Sequence, residues 1–125
     1  MIRPFVGESM VQACDLTKKK CKPCEGGVPP LSGNEAKNLL AGLEGWKISG
    51  VHIEKEFLFK DFVENMKFVN RVAEIAEAEG HHPDLYIHYN KLKVILWTHA
   101  VSGLTENDFI VAAKVDEASH ANSSH

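Results

Sequence analysis

Apolar positions along the chain fall into two periods. Val51, Ile53, Phe57 and Phe59 recur at period two, as do Leu85, Ile87 and Tyr89. That spacing predicts strands with one buried face. Phe62, Met66, Val69, Ala73 and Ala76 form one stripe at helical spacing, widened by Val63, Val72 and Ile75, and predict a helix over Asp61 to Glu79. Glu64, Lys67, Arg71, Glu74 and Glu77 occupy its opposite face, and Gly80 supplies a left-handed stop.

Shorter signals complete the order. Ser32 caps a helix running to Leu40, with Ala36, Leu39, Leu40 and Leu43 at helical spacing and Gly42 and Gly45 at its end. Trp46 to Ser49 is a short strand that pairs with Val51 to Phe59 across a turn at Ser49-Gly50. Thr105 caps a last helix through Phe109, Ala112 and Ala113, with Asp108 at the third position of an imperfect capping box. The expected fold class is α+β, a two-layer α-β-β-α-β-β-α domain whose four-stranded antiparallel sheet has helices packed on one face. Residues 31–118 form this domain. Residues 1–30, with Lys18-Lys19-Lys20, Gly26-Gly27 and Pro29-Pro30, read as a weakly ordered extension, and 119–125 as a frayed tail.

The second hairpin carries most of the chemistry. With Asn90-Lys91 as a two-residue turn, Tyr89 faces Leu92, Ile87 faces Val94 and Leu85 faces Leu96 on the apolar side. The other side pairs His88 with Lys93, Tyr86 with Ile95, Asp84 with Trp97 and His82 with His99. This register brings two histidines together at the open end.

Composition narrows the setting. A chain of 125 residues, 44% apolar and 25% charged, is one globular domain by size. A formal charge of −3 gives no general attraction to nucleic acid or an anionic membrane. No apolar run approaches a membrane span, and Met1 to Met10 lacks the basic-then-apolar pattern of a secretory signal. Cys14, Cys21 and Cys24 are odd in number and precede the core, which argues against a disulfide framework and for a cytoplasmic setting. They invite a zinc reading, but a closed structural site needs four ligands.

Histidine titrates near neutrality, so several at one sheet end suit acid–base chemistry or a metal. Metal binding is disfavoured geometrically. His81 and His82 are adjacent, Pro83 holds His82 extended, and neighbours in extended chain point to opposite sides. No metal is expected at this site. His52, His88, His120 and His125 are read as surface residues.

Glu79-Gly80-His81-His82-Pro83-Asp84, Tyr89-Asn90-Lys91, Thr98-His99 and Gly103-Leu104-Thr105-Glu106-x-Asp108 together resemble the signature of the pterin-4a-carbinolamine dehydratases. The likeness spans about Leu31 to Asp116, and Cys21-x-x-Cys24-Glu25-Gly26-Gly27 resembles an N-terminal feature of some bacterial members. It implies dehydration of a 4a-hydroxytetrahydropterin to quinonoid dihydropterin and water, with no metal or organic cofactor needed, recycling the cofactor of aromatic amino-acid hydroxylases. It implies His81, His82 and His99 as catalytic residues. Substrate contacts are implied for the same histidines with Pro83, Thr98, Ala100 and Val101, and supporting roles for Glu79, Asp84, Trp97 and Asp108. Leu85 and Trp97 depart from the family pattern, the first where an aromatic residue and the second where a small one is common. Relatives are homodimers or homotetramers, so self-association is implied, with a small-molecule pterin as the other partner. Two alternatives remain open from sequence: a non-catalytic dimerisation or coactivator-type module, and an enzyme on a related pterin such as one of molybdenum-cofactor metabolism.

Overall fold

A computed structural model of the chain describes residues 16–21 and 30–123. The elements are α1 (Gly33–Leu40), β1 (Lys47–Ser49), β2 (His52–Leu58), α2 (Phe62–Glu79), β3 (Asp84–His88), β4 (Lys91–Leu96), a 3-10 turn (His99–Val101) and α3 (Glu106–Ser123). The strands form one four-stranded antiparallel sheet in the order β1-β2-β4-β3. The α+β architecture read from the sequence is therefore the observed one, with the core between sheet and helices.

Capping fixes the starts of α1 and α2. Ser32 Oγ accepts the Glu35 N–H while the Glu35 carboxylate accepts the Ser32 N–H, a full capping box. The Asp61 carboxylate accepts the Glu64 N–H at the start of α2. Ile53 and Phe57 of β2 and Leu92, Val94 and Leu96 of β4 enter the core, where Phe68, Val72 and Ala76 of α2 are buried. From Phe109 to Ala113 every residue of α3 is buried. A helix apolar on all sides must be covered on all sides, and α3 packs against both α2 and α1.

Three expectations need correction. The buried stripe of α2 is Asn65, Phe68, Val72 and Ala76, not the one through Phe62 and Ala73. Phe62 and Val63 stay exposed. The stripe is rotated because Asn65, a polar residue, faces inward. Its side-chain amide donates to the carbonyls of Tyr89 and Lys91, both at 2.9 Å.

Those bonds also bear on the hairpin register. The observed turn is Tyr89-Asn90, with Ile87 opposite Leu92, Leu85 opposite Val94 and Asp84 opposite Ile95. Asn90 further ties the turn to Phe59, accepting its N–H and donating to its carbonyl. Tyr89 takes a φ of 48°, a left-handed value that a bulky side chain adopts only when its surroundings hold it there. The pairing is thus two residues away from that expected. An even displacement leaves each side chain on its expected face, but His82 and His99 are not cross-strand partners.

The third correction concerns the chain ends. Leu16 is fully buried in the main core, so part of the expected weakly ordered extension is packed on the domain. Helix α3 runs on to Ser123, past the expected boundary at 118. Cys14 and Cys24 lie outside the described residues.

Candidate active site

Helix α2 ends as its glycine requires. Gly80 adopts φ 68°, and the N–H groups of Gly80 and His81 both bond to the Ala76 carbonyl. This ending turns the chain sharply and sends His81, His82 and Pro83 along the sheet edge into β3. From the other direction, β4 leads into Trp97, Thr98 and the 3-10 turn that starts at His99. Thr98 and Gly103 close that turn with reciprocal backbone bonds. Gly103 is required by contact: a Cβ there would lie 2.7 Å from the Pro30 Cβ.

These segments and the start of α3 surround a cleft of about 720 Å³. His81, His82, Pro83 and Asp84 line one part of it, and Trp97, Thr98, His99 and Ala100 another. Glu79, Gly80, Cys21 and Asn107 complete the lining. The open end of the hairpin is therefore where the expected histidines meet, although through converging loops rather than a paired register. Val101, expected to touch substrate, is not part of the lining.

Asp108 lies behind the cleft wall and is fully buried. One carboxylate oxygen, Oδ2, accepts the Thr105 N–H at 3.0 Å and the Thr98 hydroxyl at 2.8 Å. The other, Oδ1, is 2.6 Å from His81 Nε2. The Thr105 hydroxyl accepts the Asn107 N–H and, since the Thr98 proton goes to Asp108, donates to the Thr98 oxygen. Capping and histidine positioning are thus the work of one carboxylate. An ionised carboxylate only accepts, so this bond places a proton on His81 Nε2, and in the neutral ring Nδ1 is then the acceptor.

His82 is more open. Its Nε2 is 2.7 Å from Glu77 Oε2, with both side chains more than half exposed. His99 lies against Trp97, ring centroids 3.9 Å apart at 36°, giving the cleft an extended aromatic surface.

Sequence reasoning missed the floor. The Glu79 carboxylate is almost fully buried and pairs with Lys114 of α3, while accepting the Cys21 N–H at 2.9 Å. Burial pushes its pKa up, but the hydrogen bonds from Lys114 and Cys21 and the nearby lysine charges prevail and hold it below the usual value. Burial first, and then the Glu79 charge, push the Cys21 thiol up to about 12, so it stays protonated at neutral pH. Glu79 was legible through its place in the signature. Cys21 was legible in the cysteine-containing lead-in but not as part of this cleft, and Lys114 and Asn107 carried no local signal, because tertiary packing brings all three here. Among the described residues no group of three or more His, Cys, Asp or Glu side chains is arranged to hold a metal ion. No helix among them is long and apolar enough to cross a membrane.

The family model described as pterin 4 alpha carbinolamine dehydratase matches residues 29–118. A Nitrosomonas eutropha protein provisionally named a pterin-4-alpha-carbinolamine dehydratase is 54% identical over 108 residues, covering 86% of this chain and 96% of that one. A Methylococcus capsulatus protein of the same provisional name is 46% identical over 109 residues, with the same coverage. The crystal structure of a transcriptional coactivator/pterin dehydratase from Brucella melitensis is 35% identical, with a TM-score of 0.68, covering 71% of this chain and 97% of that one.

Proposed function

Because the chain belongs to the pterin 4 alpha carbinolamine dehydratase family, we propose that it removes water from a 4a-hydroxytetrahydropterin by histidine acid–base catalysis. The products are the quinonoid dihydropterin and water. The observation that carries this reading is the chain of bonds from Thr98 through buried Asp108 to His81 at the wall of the cleft. It fixes the ring and the tautomer of one histidine, as proton transfer in a set geometry requires.

The chemistry has two proton movements. The C4a hydroxyl leaves as water only if its oxygen is protonated, and the N5 proton departs as the new double bond forms. His81, held with Nδ1 as acceptor, is suited to take the N5 proton. His99 is suited to protonate the leaving oxygen, and Trp97 beside it offers a plane for a flat ring. His82, tethered to Glu77 near the surface, orients the substrate. Each proton-transfer group is worth on the order of 10²–10⁴-fold.

The test is stopped-flow decay of the carbinolamine with the purified chain and its variants. His81→Ala and His99→Ala are expected to fold and to lose most activity. Full activity in both would leave the binding-module reading, which is indifferent to the histidines. Pterins differing at C6 distinguish the aromatic-hydroxylase cofactor from a related pterin.

We also propose self-association. Tyr86 and Ile87 of the edge strand β3 and Tyr89 of its turn are exposed, as are Leu58 at the end of β2 and Phe62 and Val63 at the start of α2. Light scattering after size exclusion tests it, and a monomer at working concentration refutes it.

A further inference from the structure

We propose that the segment 16–21, through Cys21 at its end, forms part of the wall of the substrate cleft and sets its affinity for the pterin, with Glu79 as the positioning residue that holds it. This rests on the dehydratase reading and adds a segment outside the signature to the site.

The segment is attached at both ends. At one end Leu16 has no exposed surface and belongs to the main core. A buried leucine is a substantial apolar anchor. At the other end the Cys21 N–H donates to Glu79 Oε1, and the thiol donates to the Asn107 carbonyl at 3.7 Å. A bond to a charged acceptor is stronger than one between neutral groups. The ion pairs of Lys19 with Glu106 and Lys20 with Glu79 involve largely exposed lysines and add little. The segment is therefore held by one apolar anchor and one buried carboxylate.

Its end also faces the site. Cys21 lines the cleft together with Glu79, His81 and Asn107. Glu79 precedes His81 by two residues, so the group that holds the wall is part of the helix ending that presents the histidine. The bonds of Cys21 go to Glu79 and Asn107, not to His81 or His99. A wall of this kind changes how well the ring is bound rather than how protons move. Its loss therefore raises KM and leaves kcat nearly unchanged.

The experiment compares the full chain with its Cys21→Phe and Leu16→Ala variants. Affinity for unreactive 7,8-dihydropterin is read by tryptophan fluorescence, and KM and kcat by carbinolamine decay. Both variants are expected to weaken dihydropterin binding and raise KM about tenfold or more, the scale set by a misfitted pocket wall, with kcat within about threefold. If either variant fails to fold by circular dichroism, hydrogen exchange decides with the native chain: dihydropterin should slow exchange across residues 16–21. Native binding and turnover with unchanged affinities in the variants, or with no change in exchange there, overturn the wall proposal alone. A native chain that neither binds dihydropterin nor speeds carbinolamine decay overturns the dehydratase reading, and the wall proposal falls with it.

Discussion

Replacing Asp108 by asparagine separates its two tasks. The carboxylate is fully buried and serves three donors, Thr105 N–H, the Thr98 hydroxyl and His81 Nε2. In Asp108→Asn the amide oxygen can keep Thr105 and Thr98, leaving the NH2 group toward His81. An amide nitrogen donates, so His81 must present a bare Nε2 and carry its proton on Nδ1. The lone pair proposed to accept the substrate proton is then gone. The expected fall in kcat is on the order of 10²–10⁴-fold, or about 2.7–5.5 kcal/mol in the barrier. Stability falls less, because the three charge-assisted bonds become neutral ones rather than being lost, at a cost of about 1–3 kcal/mol. Asp108→Ala strands all three donors and is expected to cost about 3–5 kcal/mol. Stopped-flow decay above the spontaneous rate, with thermal melts of the same samples, separates the effects. A cooperatively folded Asp108→Asn chain with kcat within tenfold of the parent would refute the positioning argument and leave Asp108 a helix cap.

Other expectations follow from particular contacts. Lys114→Met leaves the buried Glu79 carboxylate without its main partner and is expected to cost about 3–5 kcal/mol at pH 7 in urea titrations. The Glu79 pKa is lowered in the fold, so its contribution is present above the unfolded pKa and lost as pH falls through the folded one. The deficit of Lys114→Met should therefore shrink on acidification, and a pH-independent deficit would argue against the pair. Asn65→Ala removes both bonds to the hairpin turn and is expected to cost about 2–3 kcal/mol, with faster amide exchange at Tyr89 to Lys91. Gly103→Ala places a methyl against Pro30 and is expected to cost about 1–3 kcal/mol, read as a lowered Tm; an unchanged Tm would show that the 3-10 turn can yield.

The signals that were legible were local ones. Ser32 with Glu35, Asp61 before α2, and Gly80 after it mark helix ends through bonds a few residues long, and each end lies where the pattern placed it. Strand alternation placed Ile53, Phe57, Leu92, Val94 and Leu96 in the core despite the two-residue error in pairing, whereas Val51, Ile87 and Tyr89 of the expected apolar faces stay exposed. Long-range bonds were hidden. Nothing in the neighbourhood of Asn65 says that its amide faces inward to the Tyr89 and Lys91 carbonyls. Phe68, the most prominent buried side chain of α2, was missed for the same reason: a polar residue three positions earlier shares its face. In the cleft, His81, His82 and His99 were visible as a run of titrating residues. Cys21 and Lys114 were not, because their meeting with Glu79 depends on packing between segments distant in sequence.

Two helix ends do double duty, and this bears on how the site tolerates change. The left-handed ending at Gly80 is a folding device that aims His81, and the Thr105–Asp108 cap is a folding device that grips it. A residue that only caps a helix can be exchanged among Ser, Thr, Asn and Asp at small cost. Asp108 cannot, because its second oxygen must accept from an imidazole in a fully buried setting. The same reasoning applies to Glu79, whose two oxygens serve different elements, Cys21 on one side and Lys114 on the other. Gln at that position keeps an acceptor for Cys21 but offers Lys114 no charge. Substitutions at Glu79 and Asp108 should thus lose function before they lose fold when the replacement keeps one acceptor, and lose both when it keeps none. The Asp108 and Glu79 carboxylates have almost no exposed surface, so ranking residues by their exposure in the cleft would place these two constrained positions low.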